Sequence, residues 1–206
     1  MNIKIALCSL NPTVGDIEGN SELIIEAYQQ AVAEGAEIVL TPEMSLTGYP
    51  LEDLTLKPAF ITAVMDAKQR LCDRIAALGH KAAIVFGHPS PAPVSERNRD
   101  LVYNSATFVD PEAHAVHTIH KHELPNYGVF DEKRNYLEGP LSPVIPWRGI
   151  QLGLMICEDG WFPDVAAHLA VQGADILLWI NGSPFAMGKN LQRLQHAANR
   201  MNDTGL

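Results

Sequence analysis

The chain has 206 residues, of which 47% are hydrophobic and 19% are charged, and its formal net charge is −9 at pH 7. These values are ordinary for one globular domain with a hydrophobic core. The negative charge argues against nucleic acid and anionic membranes as main partners, because both bind basic surfaces. No apolar run approaches the roughly 20 residues of a membrane helix, and the first residues lack a signal-peptide pattern. We therefore expect a cytoplasmic protein.

Strand and helix patterns alternate along the chain. Strands are predicted at residues 3–9, 37–40, 82–87, 101–109, 113–120, 149–157 and 174–180. Helices are predicted at residues 21–34, 58–78, 163–172 and 187–202. This alternation indicates a mixed α/β domain built in layers.

The connections add detail to this prediction. Ser21 suits the start of the first helix. Residues 88–100 are rich in Pro and Ser and predict a surface loop. A turn at Asp110 and Pro111 separates two strand patterns and predicts a hairpin, after which residues 121–146 form a long connection. Because the sequence stops directly after a helix, we expect that the native protein continues.

The three cysteines, Cys8, Cys72 and Cys157, are far apart and odd in number. This pattern argues against a disulfide scaffold and against a zinc site of the CxxC kind. Cys8 falls within a predicted strand and Cys72 within a predicted helix, so we interpret both as small buried hydrophobes.

Cys157 differs from the other two because it stands where a strand runs into a Glu–Asp–Gly turn. A thiol at such a turn is well placed to attack a carbonyl group. The backbone N–H groups of Glu158 and Asp159 could stabilise the resulting oxyanion. The alternative is a buried structural cysteine.

Two charged residues occupy similar positions at predicted strand ends, where α/β sheets place their active sites. Glu43 follows the strand at residues 37–40 and could act as a general base, or else as a capping or surface glutamate. Lys121 follows the hairpin and could stabilise a thiolate or an oxyanion, or else be a solvated edge charge.

Four histidines, His114, His117, His120 and His122, cluster near Lys121. In a continuous strand, three of them (114, 120 and 122) would share one face, which makes a metal site conceivable. A Cys–His dyad with Cys157 and a partly exposed polar face are the other interpretations. Residues 182–189 lack the spacing of a phosphate-binding loop, and we reject that function for them.

These motifs together resemble a known family. Glu43 in PEMSLTGYP, Lys121 in KHELPNYGVFDEKR and Cys157 in CEDGW follow the order of the Glu–Lys–Cys triad of the nitrilase superfamily of carbon–nitrogen hydrolases. LPNYGVFDEKR and NGSPFAMGKNLQR are similar to segments of the N-terminal glutaminase domain of glutamine-dependent NAD synthetases. The resemblance spans residues 1–206 and implies a four-layer αββα sandwich, which we expect to lack its last C-terminal elements.

The resemblance also implies roles for individual residues. Cys157 would attack the side-chain amide of glutamine, Glu43 would transfer the proton, and Lys121 would stabilise the tetrahedral intermediate with the backbone N–H of Glu158. Glu132 matches a second glutamate near the lysine. The side chains expected to line the substrate pocket are Tyr127, Tyr49, Trp161, Ser183 and Arg193.

The implied reaction needs no metal and no cofactor. In the resembling family, ATP, Mg and deamido-NAD belong to a C-terminal synthetase domain that takes up the ammonia, and we expect this domain to be absent from residues 1–206. We expect glutamine as the substrate and self-association into a homo-oligomer. Two other hypotheses are a stand-alone nitrilase-family amidase that acts on another small amide, and a binding module in which Cys157 is inert.

Overall fold

The computed structural model describes residues 2–93 and 101–206. Its strands are β1 (Ile5–Leu7), β2 (Ile38–Leu40), β3 (Ala83–Pro91), β4 (Val102–Asp110), β5 (Ala115–His120), β6 (Ile145–Trp147), β7 (Ile150–Ile156) and β8 (Ile176–Ile180). Its α-helices are α1 (Ile17–Ala33), α2 (Pro58–Ala77), α3 (Glu132–Asn135), α4 (Pro163–Val171) and α5 (Lys189–Thr204). Two short 3₁₀ helices cover Glu52–Leu56 and Cys157–Gly160.

The strands form two sheets. The first has the order β1-β2-β3-β4-β5, in which β1, β2 and β3 are parallel and the later pairs are antiparallel. The second has the order β6-β7-β8, with β6 antiparallel and β8 parallel to β7. Strands β2 and β7 each end at the carboxyl edge of a parallel pair, where α/β sheets place the loops that carry functional side chains.

Three buried hydrophobic clusters hold the helices and sheets together. Residues of both sheets, among them Val85, Phe108, Leu154 and Leu178, form one buried cluster between the sheets. The outer face of the first sheet packs on α1 and α2, and the outer face of the second packs on α4. The order of layers is helix, sheet, sheet, helix, which confirms the predicted αββα sandwich.

Most predicted elements are confirmed, with differences at their ends. Helix α1 begins at Ile17 rather than at residue 21, because the carboxylate of Asp16 accepts a hydrogen bond from the Gly19 N–H and caps the helix. Ser21 instead lies inside the helix, where its hydroxyl donates to the carbonyl oxygen of Ile17.

The predicted loop at residues 88–100 is wrong in its first part. Residues 88–91 continue β3 and pair with β4, and His88 is fully buried there. Two prolines mislead the sequence pattern because Pro89 and Pro91 occupy this strand without ending it. Residues 94–100 lie outside the described part of the chain. The long connection at residues 121–146 also contains the short helix α3 and the start of β6.

No helix within residues 2–93 and 101–206 is long and apolar enough to cross a membrane.

Gly87 shows how closely the loop after β2 packs against the first sheet. A Cβ atom at this position would lie 2.3 Å from the Met44 nitrogen and 2.9 Å from the Glu43 Cα. Both are backbone atoms that cannot rotate away, so Gly87 fixes the position of the segment that carries Glu43.

We expect Gly87→Ala to lower the free energy of unfolding by about 1–3 kcal/mol, the usual range for overpacking, and to displace Glu43. Gly153→Ala is the control and should destabilise less, because the two atoms nearest its Cβ, Leu177 Cδ2 and Leu169 Cδ1, are side-chain ends that can rotate. Urea denaturation compares the variants. Equal stability of Gly87→Ala and the wild type would contradict the close contact.

Candidate active site

Three strand ends bring the predicted reactive side chains to one place. Glu43 lies three residues after β2, Lys121 directly after β5, and Cys157 directly after β7. All three are buried, with exposed fractions of 3%, 1% and 2%. The first two come from one sheet and Cys157 comes from the other, so the site lies between the sheets.

Lys121 is held between two carboxylates. Its Nζ lies 2.8 Å from Glu43 Oε1 and 3.0 Å from Glu132 Oε1. Glu132, the first residue of α3, is 2% exposed. A buried ammonium is costly unless it is paired and hydrogen-bonded, and these two glutamates meet that requirement. The structure thus places the second glutamate next to the lysine, as the resemblance implied.

Asn104 joins the two glutamates, and sequence analysis did not identify it. Its Nδ2 donates to Glu43 Oε1 at 2.7 Å and reaches Glu132 Oε1 at 3.4 Å. Its backbone oxygen accepts the Lys121 N–H at 2.8 Å. Asn104 belongs to β4, which pairs with β5, so the strand register alone brings it beside Lys121. The alternation of inward-facing residues along the hairpin is the sequence signal from which Asn104 could have been identified.

The loop after β8 supplies the next contact. Gly182 N–H donates to Glu43 Oε2 at 2.8 Å, and the next residue, Ser183, places its Oγ 3.5 Å from the Cys157 sulfur. These two consecutive residues therefore contact both the carboxylate and the thiol. A Cβ on Gly182 would approach Glu43 Oε2 to 3.0 Å, which explains why a residue without a side chain suits this position. Sequence analysis did not identify Gly182 either.

Cys157 stands at a sharp backbone turn. Its φ is +46°, a conformation that residues other than glycine rarely adopt. Its carbonyl oxygen accepts the indole N–H of Trp179 at 2.7 Å, and its Sγ lies 3.5 Å from Ser183 Oγ. Strained backbone of this kind occurs mainly at functional sites. It persists only where the surrounding contacts hold it in place.

The electrostatics of the site favour a neutral thiol at rest. Burial and, to a smaller extent, the charge of Glu43 raise the pKa of Cys157 to about 12, although Lys121, Ser183 and Gly182 oppose the shift. Burial also raises the pKa of Glu132 to about 7, against the effect of Lys121. For Lys121, burial would lower the pKa, but Glu43 and Glu132 outweigh it and raise the pKa well above its ordinary value.

Tyr127 and Glu158, predicted near the substrate, contact each other. The Tyr127 hydroxyl donates to Glu158 Oε1 at 2.7 Å. Burial and this bond to a carboxylate raise the pKa of Tyr127, so the hydroxyl stays protonated. Tyr49 donates to Glu132 Oε1 at 3.1 Å, which makes it a direct partner of the charged cluster.

The other three predicted pocket residues differ in their contacts, and only Ser183 touches the thiol. Ser183 contacts Cys157, and its carbonyl oxygen accepts a hydrogen bond from Arg193 Nη2 at 3.1 Å. Trp161 packs against His196, with ring centroids 4.3 Å apart, and Lys189 Nζ lies 5.3 Å from its ring. Trp161 is thus part of an aromatic and cationic rim rather than of the charged cluster.

A cavity of about 580 Å³ adjoins the site and is lined by residues that include Glu43, Tyr49, Gly182, Ser183 and Arg193. Its volume suits a small molecule. The wall combines one carboxylate, a guanidinium and hydroxyl groups, which suits a polar substrate.

The histidine hypotheses find no support in the geometry. Strand β5 covers only Ala115–His120, so residues 114 and 122 lie outside it and the assumed common face does not exist. The ring of His120 is hydrogen-bonded to Ser105 Oγ, and the ring of His122 donates to the Gly139 carbonyl oxygen. In the described ranges, no group of three or more His, Cys, Asp or Glu could hold a metal ion, and no hydrogen bond joins Cys157 to a histidine.

Asp159 is a further site residue, after Asn104 and Gly182, whose side-chain contacts the sequence did not predict. Its carboxylate is 1% exposed and accepts backbone N–H groups from two separate segments of the chain. Nothing in the local sequence indicates these bonds, because the donors at residues 122 and 123 lie more than 30 positions away.

The raised pKa of Glu132 predicts a pH-dependent stability. Its pKa is 4.5 for a free glutamate and about 7 in the fold, so the fold favours the protonated form. The stability from this group is fully present below about pH 4.5 and is lost as pH rises through about 7. We expect the difference in unfolding free energy, wild type minus Glu132→Gln, to fall across this window and to be flat outside it.

Denaturation at a series of pH values tests this expectation. Glu26→Gln is the reference variant, because it removes one exposed carboxylate from α1. Parallel profiles for the wild type and Glu132→Gln would show that Glu132 does not titrate differently in the fold.

Comparison with known proteins agrees with the geometry. A family model described as carbon-nitrogen hydrolase matches residues 4–202. The chain is 38% identical to a glutamine-dependent NAD(+) synthetase of Rhodobacter capsulatus, over 98% of this chain and 35% of that protein. It is 37% identical to the enzyme of that name from Xylella fastidiosa, over 98% of this chain and 36% of that protein. The chain therefore spans about a third of the length of these curated relatives.

Solved structures give the same picture. A glutamine-dependent NAD+ synthetase from Acinetobacter baumannii matches with a TM-score of 0.82 and 33% identity, over 96% of this chain and 35% of that chain. An amidase from Nesterenkonia sp. matches with a TM-score of 0.77 and 24% identity, over 96% and 72% of the two chains, which shows a shared fold. Because the family model covers nearly all of the sequence, the chain belongs to the carbon–nitrogen hydrolase family.

Proposed function

We propose that this chain hydrolyses the side-chain amide of glutamine to glutamate and ammonia through a thioester on Cys157. The observation that carries the proposal is the buried Lys121, bound by Glu43 and Glu132 beside a strained cysteine. This arrangement brings together a nucleophile, a proton carrier and a cation for a developing oxyanion. The relatives that cover this chain are named for glutamine dependence, which supports glutamine as the amide.

The first half of the reaction forms the thioester. The Cys157 sulfur attacks the amide carbon while its proton passes to Glu43. Glu43 Oε2 accepts the N–H of Gly182, and the next residue, Ser183, contacts the sulfur. Lys121 and the backbone N–H of Glu158 stabilise the oxygen of the tetrahedral intermediate. Glu43 then gives the proton to the leaving nitrogen, the C–N bond breaks, and ammonia departs.

The second half returns the enzyme to its starting state. A water molecule attacks the thioester carbon and loses a proton to Glu43. The C–S bond breaks, the sulfur regains the proton, and glutamate leaves. Glu132 holds Lys121 throughout. These residues supply every group that amide hydrolysis through a thioester needs, so we propose that the reaction requires neither a metal nor an organic cofactor.

The polar pocket residues support a proposed orientation for glutamine. We propose that Ser183 and Arg193 face the α-amino and α-carboxylate groups, because a guanidinium is suited to a carboxylate. We propose that Tyr127 lines the pocket beside the nucleophile, because its hydroxyl donates to Glu158, the residue that follows Cys157. Tyr49 and Trp161 are proposed as walls of the pocket, Tyr49 on the side of Glu132 and Trp161 on the rim.

The ammonia has a proposed use. We infer that, in glutamine-dependent NAD synthetases, the ammonia amidates deamido-NAD in a separate synthetase domain that uses ATP and Mg. We propose that this chain supplies such a domain in the cytoplasm and works as a homo-oligomer. Large apolar side chains on and before α5, such as Phe185 at 91% and Met187 at 95% exposure, support self-association.

The direct test measures ammonia release from glutamine, asparagine and a simple aliphatic amide by the purified chain. We expect selective release from glutamine, and a loss of about 10³-fold or more in Cys157→Ala, because the nucleophile acts as a unit with its partners. Cys72→Ala is the matched control, since Cys72 is buried in α2 within the hydrophobic cluster outside the site, and it should retain the activity.

Release from the aliphatic amide but not from glutamine would replace the proposal with a stand-alone amidase. No release from a folded chain whose Cys157 resists iodoacetamide would support the binding-module hypothesis. Equal activity of Cys157→Ala and the wild type would show that another residue is the nucleophile.

A further inference from the structure

Asp159 lies two residues after Cys157, in the 3₁₀ helix Cys157–Gly160, and is 1% exposed. A carboxylate this deeply buried is stable only when its oxygens are hydrogen-bonded. Three backbone N–H groups satisfy it. His122 and Glu123 donate to Oδ1 at 2.9 and 2.8 Å, and Ile156 donates to Oδ2 at 2.9 Å.

These three donors belong to the two segments that carry reactive side chains. His122 and Glu123 directly follow Lys121, at the end of β5 in the first sheet. Ile156 directly precedes Cys157, at the end of β7 in the second sheet. One carboxylate therefore ties the backbone beside the lysine to the backbone beside the thiol, across the gap between the sheets.

The bridge continues on the side of Lys121. The carbonyl oxygen of Lys121 accepts the Gly139 N–H at 2.8 Å, and the His122 ring contacts the Gly139 carbonyl at 2.7 Å. The backbone beside Lys121 is thus fixed by further contacts. On the side of Cys157, the strained φ of +46° needs such support to persist.

The charge state of Asp159 suits this task at neutral pH. Burial raises its pKa to about 6, while the backbone donors and Lys121 limit the rise. Above that value the group is an ionised acceptor of all three N–H groups. Its bonds to N–H groups are charge-assisted and therefore stronger than those between neutral groups.

We propose that Asp159 is a positioning residue that fixes the Cys157 turn relative to Lys121. The catalytic meaning of this inference rests on the proposed function, while the geometric part stands on the three hydrogen bonds alone. Asp159 acts on the reaction through the two backbone segments and does not touch the substrate. Loss of the carboxylate lets the thiol and the ammonium move relative to each other.

The test is Asp159→Asn, which keeps the volume but must turn an NH₂ group toward a backbone N–H donor. We expect the rate of Cys157 alkylation by iodoacetamide and the kcat for glutamine to fall about tenfold or more, with KM nearly unchanged. Misplacement by about 1 Å commonly costs more than this. All rates are measured at a temperature where circular dichroism shows the variant to be fully folded.

Asp175→Asn is the matched control. Asp175 Oδ2 accepts the Gln151 N–H at 2.7 Å near the opposite end of β7, so the variant perturbs the same kind of bond far from the thiol. It should leave alkylation and kcat within about twofold of the wild type, since surface substitutions have small effects.

The outcomes separate this inference from the proposed function. A folded Asp159→Asn with wild-type alkylation and kcat would overturn the positioning role. Slower alkylation in a protein that hydrolyses no amide would retain the positioning role and reject the glutaminase. If Asp159→Asn does not fold, hydrogen exchange of the wild type decides. Slow exchange of the His122, Glu123 and Ile156 amides supports the bridge, and rapid exchange of the first two overturns it.

Discussion

The site depends on the burial of one ammonium group. Lys121 is 1% exposed, and the energetic cost of removing its charge from water must be offset by nearby carboxylates. Glu43 and Glu132 come from separate segments, the loop after β2 and the start of α3. Their attraction to Lys121 brings these segments to the end of β5. The same interaction that stabilises the lysine therefore assembles the reactive groups.

The charge balance of this cluster gives it a chemical use. Burial keeps Cys157 as a neutral thiol, and the charge of Glu43 adds to this effect. With Lys121 positive and both glutamates ionised, the cluster carries one excess negative charge. Protonation of Glu132, whose pKa lies at about 7, removes that excess. A thiol that remains protonated until a substrate arrives is protected from side reactions, because the thiolate is the reactive form.

The sequence predicted the fold and the residues at strand ends, because apolar runs and the turns after them are local signals. It predicted neither Asn104 nor the side-chain role of Asp159. Asn104 reaches the glutamates only through the register of β4 with β5, and Asp159 bonds to segments far away along the chain. Helix α1 began earlier than expected, since Asp16 forms the cap that Ser21 was expected to supply.

The proposed mechanism requires that Cys157 carries the acyl group during amide hydrolysis. This requirement can be tested by acid quenching of the chain after brief mixing with glutamine, followed by peptide mass spectrometry. We expect the peptide containing Cys157 to gain the mass of a γ-glutamyl group, and hydroxylamine to remove it. Ammonia release with no acylated Cys157 peptide at any quench time, even when hydrolysis of the intermediate is slowed at low temperature, would rule out the thioester.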